Sequence, residues 1–408
     1  MKSTAMKKIF DDTAYIRMGG TDEELRTAEY LKSCCENLGM TAWLEDFPVE
    51  MATLRKAVLT IDGKEIPCKG YFNAGSSTVE APFYYLSSAD RHTLAGCKGK
   101  IVMTDGYLGK WRYQDLLDNG AVGFITYSGD PNHPNHDIDQ RELRSFVHQG
   151  NKIPGVNINV RDAIAINEKH AKMATITLEQ DEYEGKSHNV IAELPGETDS
   201  WIVLSAHYDS TSLSQGAYDN MSGCVGILGI AEALKGKKLR RGLRLVFCGS
   251  EERGLLGSKA YCEKHEEDLK KVDLNINLDM VGCIMGKFIA CCSAEEKLCH
   301  YIEYMGYELG FPVSTRADVY SSDSTPFADK GVPALSFARV AMGLFPIHNR
   351  YDTKKVMSMS QMQGDIDFMA AFTQRMANAE TMPVKREIPQ SIKDKLDTYQ
   401  GRKRPENA

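Results

Sequence analysis

At 408 residues, with 42% hydrophobic and 26% charged side chains, the chain has the composition of a folded globular protein with room for two or three domains. Its formal net charge of −7 argues against a nucleic-acid partner, and the basic runs KGKKLRR at 235–241 and GRKRP at 401–405 read as solvated segments. No apolar run is long enough to cross a bilayer, so no membrane partner is expected.

The eleven cysteines are odd in number, include the neighbours Cys34–Cys35 and Cys291–Cys292, and form no C-x-x-C pair. They read as buried free thiols rather than a disulfide framework or a structural zinc knot. The first twenty residues lack the apolar core of a signal peptide, so a cytoplasmic location is expected.

In chain order, Thr21 and Glu24 form a capping box ahead of Leu25, Ala28, Leu31 and Leu38, which predicts a helix over 21–39 closed by Gly39. MTAWLEDFPV at 40–49 alternates like a strand. A β-rich unit is expected over 49–185: a hairpin turning at Asp62–Gly63, then GKIVMTD, a helix in YQDLLDNG, AVGFITYS and IPGVNINV. From 186 strands and helices alternate regularly, beginning with WIVLSAHYD and MSGCVGILGIAEAL. This pattern predicts an α/β domain, with a mixed but largely parallel sheet flanked by helices. The expected division is therefore a discontinuous domain of 1–48 and 186–380, an insert of 49–185 and a polar tail of 381–408, polar enough to be partly disordered.

Ligands of open α/β sheets gather at the carboxyl ends of the strands. Here those ends carry His207-Tyr208-Asp209, Glu251-Glu252 and Asp279, with Asp219 just before a helix and His348 after the last strand. Residues i and i+2 of a strand face the same way, so Asp209 is placed to orient the His207 imidazole. Two histidines and three carboxylates at one sheet edge suit two zinc-like ions sharing a carboxylate. His133, His136 and Asp137 in NHPNHD read as a surface loop, since no spacing fixes a further ligand. Arg316 and Arg339 are candidates for holding a substrate carboxylate or carbonyl oxygen, with a surface salt bridge as the alternative, and Tyr320 for an oxyanion.

AHYDS, GAYDNMSG, GSEERGLLGS, NLDMVG, SSDSTPFADKGVPAL and HNRYDT, in that order, resemble the successive motifs of the di-zinc aminopeptidases of clan MH, relatives of glutamate carboxypeptidase. The resemblance covers about 187–375 with the N-terminal helix and strand. It implies the zinc exopeptidase fold and two zinc ions, other divalent metals being allowed. His207 and Asp279 would hold one, Glu252 and His348 the other, Asp219 bridging and Asp209 orienting. Glu251 would be the general base acting on a metal-bridging water. The 49–185 unit is similar to a protease-associated domain. One departure is Ser324, where the family often has histidine or tyrosine; that position is not a ligand, so it bears on the substrate pocket. A second is the missing signal peptide, since many relatives are exported. The implied activity is removal of N-terminal residues from peptides. A carboxypeptidase of the glutamate carboxypeptidase type and a one-zinc glutaminyl cyclase are alternatives on the same fold, and a ligand-less, receptor-like relative is disfavoured because every expected ligand is present. A homo-oligomer is compatible with the sequence.

Overall fold

The computed structural model describes residues 1–341 and 347–405. The chain divides into two compact units, Met1–Val49 with Lys186–Gln400, and Glu50–Gly185 with Gly401–Ala408.

In the first unit the strand order is Ser314–Ala317, Lys287–Ser293, Ala334–Val340, Val272–Leu278, Trp201–His207, Gly242–Cys248, then 190–194. The four strands from Ala334–Val340 to Gly242–Cys248 are mutually parallel, whereas Lys287–Ser293 runs antiparallel to Ala334–Val340 but parallel to Ser314–Ala317, and 190–194 runs antiparallel to Gly242–Cys248. The mixed, largely parallel sheet flanked by helices is thus the observed fold. Alternating residues serve opposite faces: Ile202, Leu204 and Ala206 join one apolar core with helices Ser222–Leu234 and Met359–Asn378. Val203 and Val246 join the other, with Tyr261, Phe327, Ile392 and Leu396.

Parallel register brings Cys248 beside His207 and Asn277 beside Ser205, so the loops after these strands open at one edge. Helix Ser222–Leu234 starts there in close contact with the sheet. A Cβ on Gly223 would lie 2.3 Å from the Leu278 carbonyl oxygen, so only glycine allows that approach.

The second unit carries its own core and a sheet ordered 173–178, Ser77–Leu86, Ile101–Thr104, Gly123–Ser128, Gly155–Asn159, Cys68–Gly70. Its Asp62–Gly63 turn has positive φ at both residues (48° and 79°), as a tight hairpin requires.

Two segments depart from expectation. Residues 381–408, read as a polar tail, include the helix Gln390–Tyr399, which buries Ile392 and Leu396, spaced one turn apart; 406–408 lie outside the described residues. Arg241, in the run read as solvated, is buried with its guanidinium 2.5 Å from Asp273. All eleven cysteines are free thiols, nine of them buried. Among the described residues, no helix is long and apolar enough to cross a membrane.

Candidate metal centre

His207 closes its strand and is 1% exposed. Its Nε2 lies 3.1 Å from Asp219 Oδ1 and 3.8 Å from Asp279 Oδ1, and its Nδ1 lies 3.3 Å from Asp209 Oδ1. His348 Nε2 lies 3.1 Å from Asp219 Oδ2 and 3.1 Å from Glu252 Oε2. The two oxygens of Asp219 are therefore shared between two histidines. Among the described residues, three groups bring their donor atoms within 4.8 Å of one another: His207–Asp219–Asp279, Asp219–Glu252–His348 and His207–Glu251–Glu252.

These positions are enforced by a buried polar scaffold. Asp209 accepts the backbone N–H of Glu251 at 3.0 Å with one oxygen and that of Glu252 at 3.2 Å with the other. The Asn220 amide donates to the Leu278 carbonyl at 2.9 Å and accepts the Met280 N–H at 3.0 Å, binding the Asp219 turn to the strand that leads into Asp279. Ser250, Met280 and His348 all adopt positive φ (54°, 65° and 61°), a conformation that costs a non-glycine residue about 1–3 kcal/mol and persists only where its surroundings hold it. For Ser250 one such contact comes from Glu24, whose carboxylate accepts the Ser250 N–H at 2.9 Å, the Ser187 hydroxyl at 2.8 Å and the Gly20 N–H at 2.7 Å.

Electrostatics point to a cation. Burial, then repulsion from neighbouring acids such as Glu252, raises the proton affinity of Glu251 well above the ordinary carboxylate range, His207 offsetting part of it. Burial and Asp219 raise that of Glu252 as well. Burial works against the charged form of His348, but Glu252 and the hydrogen bond to Asp219 outweigh it and push the imidazole up to about 12. His207 is raised likewise, the Glu251 charge and its aspartate partners exceeding the cost of burial. In Asp219 the two histidines outweigh burial and lower the pKa. The cluster's excess of carboxylates raises the proton affinity of both imidazoles, the same excess a bound cation would offset. Asp279 Oδ1 is buried and has no hydrogen-bond partner among the described residues, and a donor set of imidazole and carboxylate fits zinc.

A testable consequence concerns protons. A metal bound at Nε2 must displace them, so apparent affinity for a divalent cation is expected to rise with pH. Calorimetry at pH 7 in buffers of different ionisation enthalpy should show net proton release; proton-neutral binding would contradict this charge balance.

The substrate candidates separate. Tyr320 is partly buried, its proton held tightly by burial and then by Asp279 and Asp219. Arg316 is exposed, its Nε donating to Cys291 Sγ at 3.4 Å. Arg339 does not join the cluster: it is 6% exposed, its Nε and Nη2 donate to Asp365 and its Nη1 to the Gly286 carbonyl, so a structural ion pair replaces the expected substrate contact. His136 sits 2.6 Å from Asp162 in the second unit, and none of the three donor groups includes it, His133 or Asp137.

Four buried residues carry no role in the sequence reading. Glu24 passed as a capping-box member, although its carboxylate bonds Gly20 rather than Thr21. Asp352 lies inside HNRYDT and accepts the backbone N–H groups of Tyr218 and Asp219. Arg17 donates to the carbonyls of Tyr208, Gln215 and Gly216. Asp323 is fully buried and is pushed up to about 7, chiefly by that burial.

Residues 189–373 match the sequence profile of peptidase family M28. Aminopeptidase YwaD of Bacillus subtilis is 27% identical over 345 residues, covering 79% of this chain and 71% of that protein. Leucine aminopeptidase 2 of Trichophyton equinum is 42% identical over 96 residues, 23% of this chain and 19% of that protein. The solved structure of BSAP, a zinc aminopeptidase from Bacillus subtilis, superposes with a TM-score of 0.78 at 24% identity, covering 96% of this chain and 98% of that one. An aminopeptidase from Aneurinibacillus sp. strain AM-1 gives 0.74 at 22% identity, covering 92% and 94%.

Proposed function

We propose, from the match of residues 189–373 to peptidase family M28, that the chain is a zinc-dependent aminopeptidase of that family that removes N-terminal residues from peptides, with Glu251 as general base. The observation that carries this reading is Asp219, whose two oxygens lie 3.1 Å from the Nε2 atoms of two different histidines. A carboxylate so shared suits a pair of cations.

His207 and Asp279 would hold one zinc, Glu252 and His348 the other, and Asp219 would touch both. Zinc held there would supply a Lewis acid for the scissile carbonyl and would lower the pKa of a bound water. The remaining work falls to side chains. Asp209 aims His207 and holds the Glu251 and Glu252 backbones through both their N–H groups. Glu251 takes the proton of the attacking water and returns it to the leaving amine, a role its raised proton affinity suits. Tyr320 donates its hydroxyl hydrogen bond to the oxyanion formed at the carbonyl. Arg316, exposed at its strand, meets a substrate carboxylate or carbonyl oxygen. For residues 49–185 the protease-associated reading is retained as part of the proposal.

The test is a panel of peptides blocked at one end. C-amidated peptides should lose their first residue and N-acetylated ones stay intact, with activity abolished by a chelator and restored by zinc. Cleavage of N-acetylated peptides from the carboxyl end would overturn the assignment.

A further inference from the structure

We propose that Asp352 is a positioning residue for one of the two metal positions, the one formed by Asp219, Glu252 and His348; the inference rests on the two-zinc reading above. Asp352 is 1% exposed and follows His348 by four residues. One of its oxygens accepts the Tyr218 N–H at 2.7 Å, and the other accepts the Asp219 N–H at 3.0 Å and the Ser214 hydroxyl at 3.4 Å. Ser214 Oγ in turn accepts the Gly216 N–H at 2.8 Å. The carbonyl groups of the same turn are held by Arg17, which donates to Gln215 and, at 2.7 Å, to Gly216. An anion thus grips the N–H groups of the turn and a cation its carbonyls. Hydrogen bonds to charged groups are about twice as strong as neutral ones.

The two metal positions differ in how much they need this clamp. His207 ends a strand and Asp279 directly follows one, so ladder hydrogen bonds fix both. Asp219 lies in an irregular turn, with φ −111° and ψ 90°. His348 lies in a loop, and its side chain is 47% exposed. Asp352 is where the His348 loop and the Asp219 turn are joined, so it sets the 3.1 Å spacing between His348 Nε2 and Asp219 Oδ2.

Asp352→Asn tests this. The amide has one acceptor where the carboxylate has two, so one of the two N–H groups would face a donor. Partners that orient metal ligands typically contribute about 10–100-fold in affinity. Because Asp219 serves both positions, the variant should weaken both ions, the one at Glu252 and His348 by about 10–100-fold and the one at His207 and Asp279 by less. Its kcat should be low at limiting zinc and recover at saturating zinc, with KM unchanged. Asp352→Glu keeps both acceptors and should recover part of the second site. The melting temperature of the zinc-loaded Asn variant should fall further than that of its metal-free form. Two tightly bound ions in Asp352→Asn, both ions weakened equally, no recovery in Asp352→Glu, or an equal loss of Tm with and without zinc would each overturn the role. Wild-type protein binding fewer than two ions would instead count against the two-zinc reading.

Discussion

Glu251→Gln protein is expected to keep its full zinc content while its kcat falls by about 10²–10⁴-fold, the usual contribution of a general base. The substitution is nearly isosteric, and the backbone N–H that ties residue 251 to Asp209 at 3.0 Å is untouched. The neighbouring carboxylate, Glu252, keeps its own contact with His348 at 3.1 Å, so no assigned ligand is lost. What disappears is the group able to accept a proton from the attacking water. The pH profile separates this from a general loss of activity. A base must be ionised, so wild-type kcat/KM should fall as pH drops through the Glu251 pKa, and the residual activity of the variant should lack that limb. Stability should move the other way. The folded pKa of Glu251 lies above its unfolded value because of burial and then its acidic neighbours. Between those two values the folded state binds more protons, and its stability declines as pH rises. Removing the charge should therefore raise the Tm of the metal-free variant above wild type at alkaline pH, with the two converging near pH 4. Zinc loss on substitution would show that Glu251 is a ligand and that the roles of the two glutamates need exchanging.

The residues brought together at the sheet edge were legible because their positions follow from topology. Strands Trp201–His207 and Val272–Leu278 are parallel neighbours, so chemistry placed at their carboxyl ends converges wherever the intervening helices lie. The scaffold behind them was not legible, because hydrogen-bond partners distant in sequence leave no periodic trace. Glu24 satisfies a capping pattern within four residues, yet its carboxylate is used by Ser187 and Ser250, 163 and 226 residues away. Arg339 illustrates the same limit from the other side. A guanidinium suits any planar oxyanion, and only the packing of helix Met359–Asn378 supplies Asp365 as its partner. The helix Gln390–Tyr399 leaves little trace in the sequence because only Ile392 and Leu396 are buried, too short a stripe to stand out in a polar context.

Asp219→Ala should abolish binding of both zinc ions at micromolar metal, where Asp352→Asn weakens chiefly one. Each histidine Nε2 lies 3.1 Å from one Asp219 oxygen, so alanine removes a donor from both positions at once. The cluster His207–Asp219–Asp279 is reduced to two donors, and so is Asp219–Glu252–His348; two donors are too few for the four-coordinate sites zinc prefers. Without metal, the loss is smaller and depends on pH. Asp219 has its pKa lowered on folding because His207 and His348 together outweigh burial. It therefore contributes stability at pH values above its unfolded pKa of about 3.9, and that contribution fades as pH falls through the folded value. The metal-free variant should accordingly be less stable than wild type at pH 7, by about 1.5–3 kcal/mol if hydrogen bonds to a charged group are what is lost. The gap should narrow under strongly acidic conditions. With zinc present the gap at pH 7 should widen, because wild type gains the binding free energy of two ions and the variant gains neither. Denaturant titrations of both proteins, with and without zinc, measure all four stabilities. A variant still stabilised by zinc as strongly as wild type would remove Asp219 from the bridging role.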